Sequence, residues 1–555
     1  MEPLPTAFVP KPIRIVVIGA GISGIQFLKD ATTRLPNVNI TVYDKNSQEG
    51  GTWAENRYPG CACDIPSHAY QYSWNPNPRW SRLYAEAAEI LDYLKSTVTK
   101  FNLRRYIQFG TTCTGANWDE KNSEWNVTLQ RNGTPDDEIS VKCDVFIIAI
   151  GRLNNWKLPD IEGLDTFQGR VIHTANWPQG LDCHGKDIAV IGNGASSTQC
   201  LASLHKDARS IGNFVRGPTW LVPHVFSRNG EAQVNCGHSL PYYTQTPTTS
   251  NTRADSHDSI KKFETEPDSY FQFRLEIEKK LAYSFRGLWA NSNAAEEFTQ
   301  NAKQHMINKI DDPQALKALL PTECKAGCRR FTPADKYMEV LNKSNVELIS
   351  TPIKQVEGNA IITTEGERRT YDMIVCGTGF EPYAPRFPIK GRGTANLSDL
   401  WSMDGGYESY LAATVAGFPN FFVFNPPICP VNGSAYPGIE RTSDYIIRVI
   451  DRLQKDRLRS VCIKQSAQDA FNRWVQSRMP EMVWAEPCSS WYKSNKKVIV
   501  PWPGTILHYY AATEIVRWED YDLKFDEDNQ KFASFGNGIT EEGFTPDSIP
   551  WLRYN

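Results

Sequence analysis

The chain has 555 residues, 60 basic against 63 acidic, a net charge of −3, and 40% hydrophobic residues. That length is too great for one ordinary core and calls for two or three domains, and the near-neutral charge excludes electrostatic attraction to nucleic acid or an acidic membrane surface. The 13 cysteines lack the spacing of a disulfide framework or a zinc site, which predicts reduced thiols and no bound metal. Met1 to Pro12 has no apolar core of a signal peptide, and Trp551 to Asn555 is no targeting signal. The longest apolar stretch, Tyr410 to Phe424, is broken by Gly417 and Pro419 and falls short of the roughly 20 residues that span a bilayer. A cytoplasmic protein without a transmembrane segment is expected.

Ile13 to Ile18 is a β-branched run that predicts a buried parallel strand. It leads into Gly19-x-Gly21-x-x-Gly24 and a helix running through Leu28 to Leu35. Gly19 permits the tight turn, Gly21 lets backbone approach a pyrophosphate, and Gly24 allows close helix–strand packing. The helix N-terminus offers unpaired N–H groups to phosphates. A second strand from Asn39 to Tyr43 ends at Asp44, where a carboxylate can bind a ribose hydroxyl. This is a dinucleotide site.

Gly51-Thr52-Trp53 and Tyr58-Pro59-Gly60-Cys61-Ala62-Cys63-Asp64 follow, and by themselves read as turns, with Asp64 a cap before Ile65-Pro66. Cys61-x-Cys63 is not the spacing of a dithiol centre and predicts small buried residues. Trp125 to Gln130 and Ile139 to Val141 alternate as strands, and Val145 to Ile150 is a buried strand ending at Gly151. A turn-rich joint holding Phe167, Gly169, His173, Trp177 and Pro178 precedes a second strand, Asp187 to Ile191, and a second glycine turn, Gly192-x-Gly194-x-x-Ser197. Ser197 is small enough for the packing position. The next strand, through Phe214-Val215, ends at Arg216, a cation suited to a 2′-phosphate.

From Val225 to Thr322 the pattern changes. Polar residues with turn signals from Asn229 to Ser259 give way to helical periodicity at Tyr270 to Phe285 and Glu296 to Ile310, with a third helix from Asp311-Asp312-Pro313 to Leu320. Then come Cys328-Arg329-Arg330, the strand and glycine turn of Tyr371 to Phe380, a return strand within Tyr410 to Asn425, a helix over Glu440 to Leu453, and Cys488-Ser-Ser-Trp491-Tyr492.

The joint, Phe167-x-Gly169-x-x-x-His173-x-x-x-Trp177-Pro178, resembles the fingerprint of type I Baeyer–Villiger monooxygenases. Gly51-x-Trp53, Tyr58-Pro59-Gly60-x-x-x-Asp64 and Cys328-Arg329-Arg330 are similar to further motifs of that family, and the likeness spans about residues 13 to 522. It implies an α/β fold of two Rossmann-like dinucleotide-binding domains, for FAD and NADPH, with a helical insertion. The segments are 1–165 and 381–555 for FAD, 166–224 and 328–380 for NADPH, 225–327 for the insertion, and a mobile loop near 488–504. The resemblance places Asp64 beside flavin and nicotinamide, Arg329 near the NADP phosphate, Arg330 over the flavin, and Trp491 in a loop that folds over NADP.

The implied reaction inserts one atom of O2 beside a ketone carbonyl through a C4a-peroxyflavin, giving an ester or lactone. A deprotonated peroxide needs a permanent cation, and Arg330 is one. Oxidation of nitrogen or sulfur is the nearest alternative, disfavoured by Trp177-Pro178 and Arg330. A disulfide reductase is disfavoured by Cys61-x-Cys63, and no motif points to a non-catalytic scaffold. Similarity to fungal biosynthetic and steroid-oxidising members implies a bulky polycyclic, terpenoid or polyketide ketone of secondary metabolism.

Overall fold

The computed structural model describes residues 6–134, 137–224, 257–383, 385–525, 531–540 and 551. Two five-stranded sheets, parallel throughout, carry the fold. The first orders its strands Phe421–Val423, Val145–Ile148, Ile13–Ile18, Val38–Tyr43 and Ile107–Gln108. The second orders Val346–Ile349, Ser210–Phe214, Asp187–Ile191, Met373–Cys376 and Arg170–His173. The chain leaves the first sheet after Ile148, builds all of the second, and returns at Phe421. The central strands Ile13–Ile18, Val145–Ile148 and Asp187–Ile191 are almost wholly apolar because both faces of a parallel sheet are covered.

In each sheet the middle strand passes through a glycine turn into a helix, Ile22–Arg34 in one and Ala195–Leu204 in the other. The two turns achieve close helix–strand packing differently. At Gly24 a Cβ would stand 1.9 Å from the Gly19 carbonyl oxygen, so the helix itself must carry the glycine. In the second unit Ser197 occupies the helix position and the missing Cβ lies opposite, at Gly377, where one would stand 1.8 Å from Ser197 Oγ. Ser197 Oγ donates to the Gly377 carbonyl at 3.1 Å. The small residue has moved from helix to strand end, which is why serine fits.

The expected elements are present with shifted ends. The Ala435–Lys455 helix starts ahead of the expected Glu440, because Ser434 caps it and Pro437 falls in the first turn, where no intrahelical N–H is needed. Ser443 Oγ on this helix donates to Asp30 on the Ile22–Arg34 helix at 2.6 Å, a buried link that fixes the return to the first unit. The inserted helices span Pro267–Tyr283, Asn293–Lys309 and Pro313–Leu319, following His257–Thr265. Tyr270, Phe273, Ile277 and Leu281 pack with Phe263 onto Ala69 of the first unit. Of the polar stretch expected from Asn229 to Ser259, residues up to 256 lie outside the described residues. Tyr410 to Phe424 is turns with a short strand at Phe421–Val423, and among the described residues no helix is long and apolar enough to cross a membrane.

One expectation is overturned. Cys328 and Cys488 are joined in a disulfide, so the thiols are not all reduced. The bond links residues 160 apart whose Cα atoms stand 6.3 Å apart, a proximity made by tertiary packing that no local spacing records. Cys61 and Cys63 are free and buried, as their spacing predicts.

Gly377→Ala is expected to destabilise the protein by about 1–3 kcal/mol through overpacking. A Ser197→Gly/Gly377→Ala double variant should recover part of that loss in chemical denaturation. Independent, additive losses would contradict the exchange of small residues between helix and strand.

Candidate active site

The carboxyl ends of both sheets open on one cleft of about 1070 Å³. Its floor comes from the first glycine turn (Gly19, Gly21), Asp44, and Gly51 to Trp53; one wall comes from Tyr58 to Asp64, and another from Arg329, Arg330 and Phe331. Ligands of open α/β sheets bind at this edge because the loops after the strands converge there. A drug-sized ligand takes about 300–1,000 Å³, so the cleft has room for more than one molecule.

Gly21 precedes the first helix without a side-chain cap, which leaves first-turn N–H groups free for an anion. A Cβ on Gly51 would stand 3.0 Å from Gly21 Cα, so the two glycines face each other as bare backbone. Asp44 is 5% exposed, and its oxygens accept from the Ala20 and Asn46 N–H groups, each at 2.7 Å. Burial pushes its pKa upward while those two N–H groups pull it down. A glycine cradle, a free helix end and a carboxylate after the second strand fit an adenine dinucleotide. The second turn has the same parts: Gly194 has open space where its Cβ would be, and the Ala195–Leu204 helix has no side-chain cap.

Tyr58 to Asp64 seams the two units together. Tyr58 OH donates to Gln199 Oε1 at 2.9 Å, and Gln199 Nε2 donates to the Ala62 carbonyl at 3.1 Å. Gly60 has φ +80° and lies against the same helix, where a Cβ would meet Ser203 Oγ at 2.2 Å. At the end of the segment Arg330 Nη2 donates to both Asp64 oxygens, at 2.8 and 2.6 Å. The Arg330 side chain is 44% exposed and lines the cleft, whereas Asp64 is 14% exposed. The carboxylate raises the Arg330 pKa against the opposing effect of burial. The result is a fixed positive charge, aimed by a partner 266 residues away in the chain.

The remaining candidates divide. Thr52, Trp53, Tyr58, Arg329 and Trp491 line the cleft. Arg329 donates to the Pro218 carbonyl, and burial together with nearby Arg216 lowers its pKa. Arg216 is exposed; it, Gly192, Gly194 and Ser197 all lie outside the cleft lining, although Ala195, Ser196 and Gln199 of the same turn and helix do line it. The joint residues line no part of the cleft. Phe167 is core, Gly169 packs on the Asp372 carbonyl, Trp177 is buried and Pro178 is exposed. His173 stacks on Trp156 with ring centres 5.0 Å apart, its Nδ1 accepts from Ala175 N–H at 3.1 Å, and burial lowers its pKa.

Gln199 and Arg152 also line the cleft and are not among the expected site residues. Gln199 sits on the second helix one turn past the glycines, a position no motif marks. Arg152 follows the strand-end Gly151, donates to Cys429 Sγ at 2.6 Å and stands 5.7 Å from the centre of the Trp491 ring. Its place at the carboxyl end of a buried strand was the available signal.

Residues 12–234 match the flavin-binding monooxygenase-like family. The chain is 36% identical over 541 residues to the FAD-binding monooxygenase moxY of Dothistroma septosporum, covering 96% of this chain and 82% of that one. It is 31% identical to a Baeyer–Villiger monooxygenase of Streptomyces coelicolor, covering 92% of each. Cyclohexanone monooxygenase of Rhodococcus sp. Phi1, solved bound to NADP+, superposes with a TM-score of 0.78 at 25% identity, covering 93% of this chain and 100% of that one.

Asp44→Ala strands the Ala20 and Asn46 N–H groups in a buried turn, at a cost of about 1–3 kcal/mol for each group left unpaired. A lower melting temperature together with weaker FAD binding by calorimetry is expected. An unchanged FAD affinity would remove Asp44 from the dinucleotide site.

Proposed function

The chain belongs to the flavin-dependent monooxygenases of Baeyer–Villiger type, and we propose that it inserts one oxygen atom from O2 beside a ketone carbonyl, forming an ester or lactone. FAD and NADPH are its cofactors. Bound flavin, reduced by NADPH, supplies the activation of O2. The protein's own share is binding, orientation, exclusion of water and charge. The observation that carries the reading is the Asp64–Arg330 pair on the cleft wall.

Arg330 holds a positive charge where negative charge develops on oxygen during the insertion, and it cannot lose its proton. Asp64 takes two hydrogen bonds from one guanidinium nitrogen and so aims that charge; it is a positioning residue that also borders the nicotinamide. The Gly19–Gly24 turn, Asp44 and the Gly51–Tyr58 segment hold FAD. The Gly192–Ser197 turn holds the NADPH pyrophosphate, and Arg216 and Arg329 converge as like charges, an arrangement suited to a 2′-phosphate. Trp491 covers NADP from the 488–504 loop. Segments 1–165 and 381–555 then form the FAD domain, 166–224 and 328–380 the NADPH domain, and 225–327 the insertion. Leu281, Leu288, Phe298, Phe331, Val431 and Trp484 give the cleft an apolar side. That side suits a bulky polycyclic or terpenoid ketone of the kind met in fungal secondary metabolism.

At about 4 Å the charge of Arg330 is worth about 4 kcal/mol at an effective dielectric of 20 and about 1 kcal/mol in water. Its partial exposure puts the loss between those limits, roughly five- to a thousandfold in rate. Arg330→Ala should bind FAD and consume NADPH but return the electrons as hydrogen peroxide, with ester formation cut by that factor. Anaerobic reduction followed by mixing with oxygen and ketone reads both steps; ester formation at the parent rate would overturn the role. Supplying a ketone and a thioether to the parent enzyme separates ester formation from sulfur oxidation.

Gly21→Val fills the backbone cradle, and colourless protein is expected. Arg216→Ala should raise the Michaelis constant for NADPH roughly tenfold, the scale of one charge-assisted contact, and leave that for NADH unchanged. Equal losses with both would remove the 2′-phosphate assignment.

A further inference from the structure

The Cys328–Cys488 bond lies one residue before Arg329 and three before Trp491. A third sulfur, Cys324, completes a cluster in which all three lie within 4.8 Å of one another. Cys328 is fully buried, while Cys324 and Cys488 are partly exposed. Lys493 Nζ stands 3.5 Å from Cys328 Sγ and also donates to the Glu486 carbonyl. The cluster is therefore not a bare metal site, since an ammonium occupies one flank and opposes a cation.

After Cys488 the chain passes Trp491 and turns as a hairpin, Lys493–Ser494 against Lys497–Val498. Asn495 and Lys496 form its tip with φ of 44° and 63°, the left-handed pair a two-residue turn of this kind requires. The tip is exposed, and the base of the hairpin is tied to the arginine loop by one covalent bond.

We propose that Cys324, Cys328 and Cys488 form a thiol–disulfide exchange site that clamps the Trp491 segment onto the Arg329–Arg330 loop, with Cys324 the thiol through which the clamp opens. The thiolate of Cys324 attacks Cys488 Sγ. The Cys324–Cys488 bond forms, the Cys328–Cys488 bond breaks, and Cys328 leaves as a thiolate beside the Lys493 ammonium. No net electrons move in this step, and the proton given up by Cys324 balances the thiolate formed. An external dithiol then reduces the more accessible Cys324–Cys488 bond, giving three thiols in the protein and one disulfide in the dithiol. Closure is the reverse oxidation, two thiols and one hydrogen peroxide giving the disulfide and two waters. Burial pushes the Cys324 thiol up, so its small thiolate fraction sets the pace, while the three sulfurs within 4.8 Å and the Lys493 ammonium beside the leaving Cys328 favour the exchange.

This inference borrows from the proposed function only the idea that the segment covers the cleft; its tests read sulfur and protease cleavage. Non-reducing peptide mapping of the FAD-loaded holoenzyme after hydrogen peroxide should recover the Cys328–Cys488 peptide. Free, alkylatable Cys328 and Cys488 would overturn the clamp. Cys324→Ser should keep that bond but slow its reduction by dithiothreitol at least tenfold, whereas reduction at the parent rate would remove Cys324 from the path. Cys328→Ser should trap a Cys324–Cys488 peptide. Trypsin should cut after Lys496 and Lys497 several-fold faster in Cys488→Ser than in the oxidised parent, and equal rates would show that the bond restrains nothing. The Cys488→Ser protein must retain FAD for that comparison, and Cys488→Ala, which removes the same bond, provides a second variant with the same expected cleavage.

Discussion

One irregular stretch, Tyr58 to Asp64, holds the two sheets over a common cleft. It leaves the first unit, packs Gly60 against the helix of the second, exchanges hydrogen bonds with Gln199, and ends on a carboxylate that grips Arg330. Each of these contacts joins residues more than a hundred positions apart. Without them the two glycine turns would have no fixed relation. Transfer between two dinucleotides bound in the cleft would demand that relation, since reacting atoms must be held about 3–3.5 Å apart and a misplacement of about 1 Å costs roughly a hundredfold.

The same economy governs the charges. A guanidinium facing a large cleft is free to take many rotamers, and each ordered side chain of that length costs about 1.5–2 kcal/mol in entropy. Two short hydrogen bonds to a mostly buried carboxylate offset that cost and leave the cation aimed into the cavity. Arg152 is held differently, between the Cys429 sulfur and the Trp491 ring. The two cations approach the cleft from different segments, so a ligand bound there meets positive charge from the loop after Val145–Ile148 and from the loop that precedes Thr332-Pro333.

The packing at the two glycine turns shows how much sequence a shared geometry constrains. Both helices must come within van der Waals contact of a strand end. One unit meets the requirement with Gly24 on the helix, the other with Gly377 on the strand. A motif read along one helix sees only half of that contact, which is why Ser197 looks like a departure until its partner is known.

Strands, both glycine turns, Asp44 and the helical insertion were legible because they rest on local rules: β-branched runs, glycine where backbone must turn tightly, apolar spacing near 3.6 residues. Asp64 and Arg330 were legible only through resemblance, since an acid before Ile-Pro and two arginines in a loop have ordinary solvated readings. Gln199 and Arg152 were not legible, because what selects them is a partner far along the chain. The disulfide ran against expectation for the same reason: Cys328 and Cys488 are 160 residues apart and meet through the packing of the Glu486 segment on the arginine loop. The sequence alone determined which backbone stretches become strand, turn and helix, since those follow from neighbouring residues. The tertiary structure alone decided which side chains share the cleft, because their proximity is a property of how the two sheets are seamed together.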